Sequence, residues 1–253
     1  MNAVESFGKG NYQFLRGGFQ YSSAVMAEPG FCIERVQLAA PVPLALGFAT
    51  IWQHLQTVGR PANSLCACEL RSPAPMAEPE FIAFNRIYVQ ALAAKGLFWD
   101  DINPVARCNL IPTGRKPDQP SLYAFSYTVP LAMPLAPSAS VDFHTSGAAE
   151  CPDRPGYRDN IVRLGDTSAE GLADKIAYAL GDVDARFQAL GVAWSAVSRF
   201  NLYTAHNLHP VIHTALEARG AHGLAVTWHA VRPPIVDIEI EIDASRISHQ
   251  RFI

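Results

Sequence analysis

Thr227–Ser245 reads TWHAVRPPIVDIEIEIDAS, and its second part alternates strictly. Val236, Ile238, Ile240 and Ile242 fall on one side; Asp237, Glu239, Glu241 and Asp243 fall on the other. A period of two is the mark of a strand with one buried face. Four acids on the opposite, solvated face repel one another, and acids are poor strand formers. Two readings stay open. Either the acidic face meets cations or a site, or it is a charged sheet edge that resists aggregation. Pro233–Pro234 separates this strand from a shorter β-rich piece before it.

Upstream, one order of elements occurs twice. Residues 10–40 read as two strands, the first turning at Gly17–Gly18. Leu44, Phe48, Ile51, Leu55 and Val58 then recur at helical spacing, with Gly59 as the stop. A strand over 64–71 is followed by a helix over 80–95, carrying Phe81, Phe84, Tyr88, Ala91 and Leu92 on one face. Strands over 105–111 and 121–129 end the first half. Residues 131–140 combine prolines with small uncharged residues and read as a linker.

A strand over 141–148 restarts the order. The helix over 169–190 is the clearest in the chain. Thr167 and Glu170 form a capping box, and Leu172, Ile176, Ala179, Val183, Phe187 and Leu190 form its apolar stripe. A strand over 196–203, a helix over 209–219 and the opening stretch close the chain. The expected domains are 1–130 and 141–253, each an α+β layer with helices on one face of a mixed sheet. The other sheet faces need cover, which equivalent sheets in an oligomer would supply.

With 253 residues, 49% of them hydrophobic and 17% charged, the chain can bury a sizeable core. A formal net charge of -3 provides no field for nucleic acid or an anionic membrane, so neither is an expected partner. No apolar run approaches the roughly 20 residues of a membrane span. The N-terminal stretch lacks the pattern of a signal peptide. Five cysteines without a CxxC pair argue against a disulfide framework or structural zinc, and a reducing cytoplasm is the expected setting. His206, His209 and His213 lie at spacings of three and four, but without an HExxH motif they read as solvated or capping residues, and no metal is expected.

The repeated order, the Ser146–Gly147–Ala148 triplet after a strand and the terminal IEIEIDASR resemble the reactive-intermediate deaminase (Rid/YjgF) superfamily. The resemblance implies two fused chorismate-mutase-like domains, with sheets packed into an oligomeric barrel and sites in the clefts between units. A homotrimer is the assembly it favours. The 2-aminomuconate deaminases are the relatives that fit best. The implied activity is hydrolysis of an enamine or imine acid with release of ammonia and no cofactor. Tandem copies are also known among chorismatases, so cleavage of an enolpyruvyl ether is an alternative, as is a non-catalytic protein that binds small acids.

By this resemblance, Arg107 in NPVARCNLIP matches the arginine that grips a substrate carboxylate. An ungapped match puts Glu239 on the glutamate that handles water, with Asp237 and Glu241 as rivals one alternation step away. Ser146 matches the serine of the family's SGQ motif, and Tyr12 in GNYQ matches its N-terminal tyrosine. The first half has the arginine without the acid and the second the acid without the arginine, which implies one composite site. A guanidinium fork suits a carboxylate, and a carboxyl group in a cleft can move a proton. Arg199 or Arg232 is available for a second carboxylate, and His229 either joins the site or satisfies a backbone group. Cys108 reads as an inert buried thiol or a reactive one.

Overall fold

The computed structural model describes residues 3–133 and 141–253. The first half runs β1 (Val4–Phe7), β2 (Tyr12–Leu15), β3 (Ala24–Ala27), β4 (Phe31–Pro43), α1 (Leu44–Thr57), β5 (Leu65–Arg71), α2 (Glu78–Ala93), β6 (Ala106–Pro112) and β7 (Ser121–Pro130). The second runs β8 (Phe143–Thr145), β9 (Ala148–Ala149), α3 (Tyr157–Asn160), α4 (Ala169–Leu190), β10 (Arg199–Thr204), α5 (His209–Glu217), β11 (Val226–His229), β12 (Val231–Arg232), β13 (Ile240–Arg246) and β14 (His249–Phe252).

The fold is mixed α+β, with two sheets. One contains β4, β7, β5 and β6 in that spatial order, and the other contains β8, β13, β10 and β11 in the equivalent order. In each, the last two of these strands are parallel, as a crossover through a helix requires. Helices α1 and α2 bury Phe48, Ile51, Leu55, Tyr88 and Leu92 against the first sheet. Helices α4 and α5 bury Leu172, Ile176, Val183, Phe187 and Ile212 against the second.

Strands cross between the halves in both directions. β3 pairs with β8, carrying β1 and β2 into the second sheet, while β12 pairs with β6 and β14 with β4 in the first. Asp142 locks this crossing, accepting from the backbone N–H of Ile33 and Ser248 and from the Ser248 hydroxyl, each at 2.8 Å. Most of the linker expected over 131–140 lies outside the described residues.

Three local expectations change. The terminal strand begins at Ile240, because Asp237 takes φ +70° and the stretch before it is a loop. Its acidic side is not solvated: Glu241 is 6% exposed and Asp243 1%. Nor is it an edge, since β13 lies between β8 and β10. The N-cap of α4 is Ser168, whose hydroxyl accepts from Gly171 N–H at 3.1 Å, rather than Thr167. At its other end, Gly191 closes the helix in the left-handed region that glycine tolerates best. The strand expected over 141–148 is interrupted at Ser146–Gly147, where the chain turns toward β6.

Candidate active site

A cleft of about 530 Å³, counting its open mouth, is lined from both halves of the chain. Tyr21, Phe81, Arg107 and Asn109 come from the first; Gly147, Cys151, Arg186 and Glu241 come from the second.

Arg107 projects from β6 and is 2% exposed. Nη1 donates to Oδ1 of Asn85 on α2 at 2.5 Å. Its guanidinium carbon lies 4.8 Å from the ring centre of Tyr88, 5.2 Å from Tyr21 and 5.8 Å from both Phe81 and Phe84. Aromatic faces stabilise a desolvated cation without an opposing carboxylate. Nε has no hydrogen-bond partner among the described residues and is buried.

The Ser146–Gly147 turn clips the halves together. The Ser146 hydroxyl accepts from Arg107 N–H at 2.8 Å and donates to the carbonyl of Ser22 at 2.5 Å. Gly147 N–H donates to the Arg107 carbonyl at 3.2 Å. With both hydroxyl functions engaged, fully buried Ser146 positions the strand rather than attacking substrate. Gly147 is required by close approach, because a Cβ there would collide with the Glu241 carboxylate.

Glu241 is paired through its backbone in β13, but its carboxyl group makes no hydrogen bond to another described residue. Burial pushes its carboxyl up to about 8, assisted by Asp243 two residues along the same strand face; Arg107, Arg186 and Arg71 oppose the shift without cancelling it. A carboxyl with that value is largely protonated at neutral pH and can give a proton. Asp243 is held by Asn201 Nδ2 at 2.7 Å and the Tyr203 hydroxyl at 2.6 Å.

Two loops border the cleft. In one, the Glu78 carboxylate accepts from the backbone N–H of Gly156 at 2.8 Å and Tyr157 at 3.2 Å. In the other, Pro234 and Val236 are tied to the backbone of Met76, and Asp237 pairs with Arg158. Glu150, fully buried beside Lys175 at 3.2 Å, accepts from the N–H of Glu239 at 2.6 Å and Ile240 at 3.0 Å. That pair fixes where β13 begins, and therefore which acid reaches the cleft.

The family model of 2-aminomuconate deaminase CnbZ matches residues 4–251. The chain belongs to that family. It is 41% identical to 2-amino-5-chloromuconate deaminase of Comamonas testosteroni over 237 residues, 94% of either chain. Among solved structures it is similar to a chorismatase, at 14% identity and a TM-score of 0.48 over 88% of this chain and 77% of the other. It is also similar to the YjgF gene product of E. coli, at 18% identity and a TM-score of 0.29 over 45% of this chain and 91% of that one.

Within this member of the CnbZ family, the residues expected from the sequence separate. Arg107 lines the cleft, and Ser146 stands behind its backbone. Glu239 does not line the cleft. Its carboxylate meets His206 Nε2 at 2.7 Å and Arg232 Nη1 at 3.5 Å, and the Arg232 side chain is half-exposed. One alternation step places Glu241 there instead. Tyr12 is a core residue, with its hydroxyl on the Leu65 carbonyl at 3.0 Å; Tyr21 is a cleft tyrosine. His229 contacts Asn201 Oδ1 at 3.1 Å and stacks near Tyr203, outside the cleft lining. Cys108 and Cys151 line the cleft, but burial pushes both thiols up, away from the thiolate form. The sequence reading missed Tyr21, Asn85 and Arg186; the one available signal was a cation, Arg186, beside the apolar stripe of α4.

Proposed function

We propose that this chain is a hydrolytic deaminase of 2-aminomuconate or a substituted 2-aminomuconate, releasing ammonia during aromatic degradation. The observation that carries the reading is a buried, largely protonated Glu241 sharing one cleft with the aromatic-walled cation Arg107. Membership of the CnbZ family supports the substrate class and favours it over ether cleavage or simple acid binding.

Arg107 pairs with the carboxylate next to the amine-bearing carbon, its free Nε–H directed to an acceptor. Glu241 gives its proton to the enamine carbon, leaving an iminium. The resulting carboxylate takes a proton from water as its oxygen attacks the C=N carbon. The tetrahedral intermediate collapses as Glu241 protonates its nitrogen and takes back the proton of its hydroxyl, so ammonia leaves and a 2-oxo acid remains. Enamine plus water gives keto acid plus ammonia, and Glu241 returns to its starting state. An imine is already electrophilic, so this route calls for no cofactor.

The reading also takes the two α+β halves as Rid-type units and carries the homotrimer and cytoplasmic setting expected from the sequence; light scattering and cell fractionation test those two points. The activity is tested by ammonia release from 2-aminomuconate. Wild type is expected to turn over, with Glu241→Gln slower by about 10²–10⁴-fold, the usual worth of a positioned general acid. A Glu241→Gln enzyme with wild-type turnover would remove the assigned acid, and absence of ammonia from wild type would remove the reaction.

A further inference from the structure

We infer that Arg186 is the second carboxylate anchor, meeting the end of the substrate remote from the amine; this rests on the proposed reading and adds a residue to it. Arg186 comes from α4, so it stands on a different element from Arg107 on β6, yet both line the one cleft. The residue is 6% exposed. Nη1 donates to the carbonyls of Ser146 at 2.6 Å and Ser23 at 3.1 Å, and Nη2 donates to Asp182 at 2.6 Å. Those contacts fix the plane of the fork and leave Nε buried without a partner among the described residues.

Arg107 Nε and Asn109 Nδ2 are likewise buried and unpartnered, and both residues line the cleft. Among the described residues, every such atom in this wall is an N–H donor. Buried donors without acceptors are costly, so the cleft suits a ligand that brings oxygen acceptors at two places. A dicarboxylate is that ligand. The carboxylates nearby do not fill the same role: Asp182 is held by Arg186, and Asp153 accepts from the Tyr157 hydroxyl and Gln20. Arg199 and Arg232 are displaced as candidates. Neither lines the cleft: Arg232 is half-exposed beside Glu239, and the charge of Arg199 acts on Glu69, His144 and His229.

The test uses two unreactive probes with the same six-carbon diene, muconate and sorbate; sorbate ends in a methyl group where muconate has its second carboxylate. Binding is measured by calorimetry. Wild type is expected to prefer muconate by roughly tenfold or more, as a site built to hydrogen-bond a group rejects the analogue without it. Arg186→Met abolishes the preference by weakening muconate alone. Arg186→Lys keeps the charge without the fork, restores part of the preference, and carries the comparison where Arg186→Met does not fold. Equal weakening of both probes in the variants, or no preference in wild type, overturns the assignment. Neither probe is turned over, so the outcome is separate from whether ammonia is released.

Discussion

Arg35 and Glu69 in the first sheet meet as a closed fork, Nε to Oε1 at 2.5 Å and Nη2 to Oε2 at 2.8 Å. Arg107 and Glu241 are equally buried and share one cleft, yet no hydrogen bond joins them. The consequences are opposite. The Arg35 guanidinium holds the Glu69 carboxyl well below the usual range despite burial, whereas burial raises Glu241 to about 8. The same two residue types thus give a structural ion pair in one place and an available acid in the other. The difference lies in what surrounds the arginine. Arg35 is paired with a carboxylate; Arg107 is held by Asn85 and aromatic rings with its Nε left open, which leaves the glutamic acid its proton.

Breaking the open couple should abolish chemistry and spare the fold. Arg107→Ala is expected to lower kcat/KM by about 10³-fold, since a carboxylate clamp also orients the reacting carbon. Thermal unfolding should reveal no comparable loss. The closed couple should behave in reverse. Glu69→Gln leaves a buried guanidinium unpaired, so denaturant unfolding should show about 3–5 kcal/mol lost, with turnover per folded molecule near wild type.

Moving the acid without removing it sharpens the contrast. Gly147→Ala places a methyl group against the Glu241 carboxylate and should cut turnover by roughly tenfold to a hundredfold, as displacements near 1 Å do. Glu239→Gln, on the same strand approach but paired with His206 outside the cleft, should change turnover by less than about threefold, as expected of a partly exposed pair.

The raised carboxyl also has a sign in stability. Below the unfolded value near 4.3, Glu241 is protonated in both states and contributes no pH dependence. Between there and about 8 the unfolded chain ionises while the folded chain keeps its proton, so stability falls as pH rises. Glu241→Gln should flatten that decline, most visibly in unfolding curves compared at pH 5 and pH 8. Glu69 has the opposite sign, losing its contribution as pH falls through its depressed folded value.

The order of strands and helices was legible because hydrophobic periodicity is local: α4 runs over the stretch its apolar stripe marks, and α1 follows the spacing of Phe48, Ile51 and Leu55. Arg107 was legible because it sits in a short motif on one strand. The acid was not. A period of two cannot say where a strand starts, and here the start is fixed by Glu150, whose carboxylate takes the N–H of Glu239 from 89 residues away. Tyr21 and Arg186 were hidden for a similar reason: what brings each to the cleft is a meeting of distant segments, Ser22 and Ser23 with Ser146 and α4. The exchange of β1–β3 and β14 between sheets also has no local signal, because a strand's sequence does not name its partner.

The most direct measurement is the ionisation of one carboxyl group. Difference infrared spectra of wild type against Glu241→Gln, recorded across pH, isolate the Glu241 C=O band. Its loss with a midpoint near 8 is the predicted result. A midpoint near 4 to 5, the ordinary range for glutamate, would mean that Glu241 is already an anion at working pH and is not the proton donor.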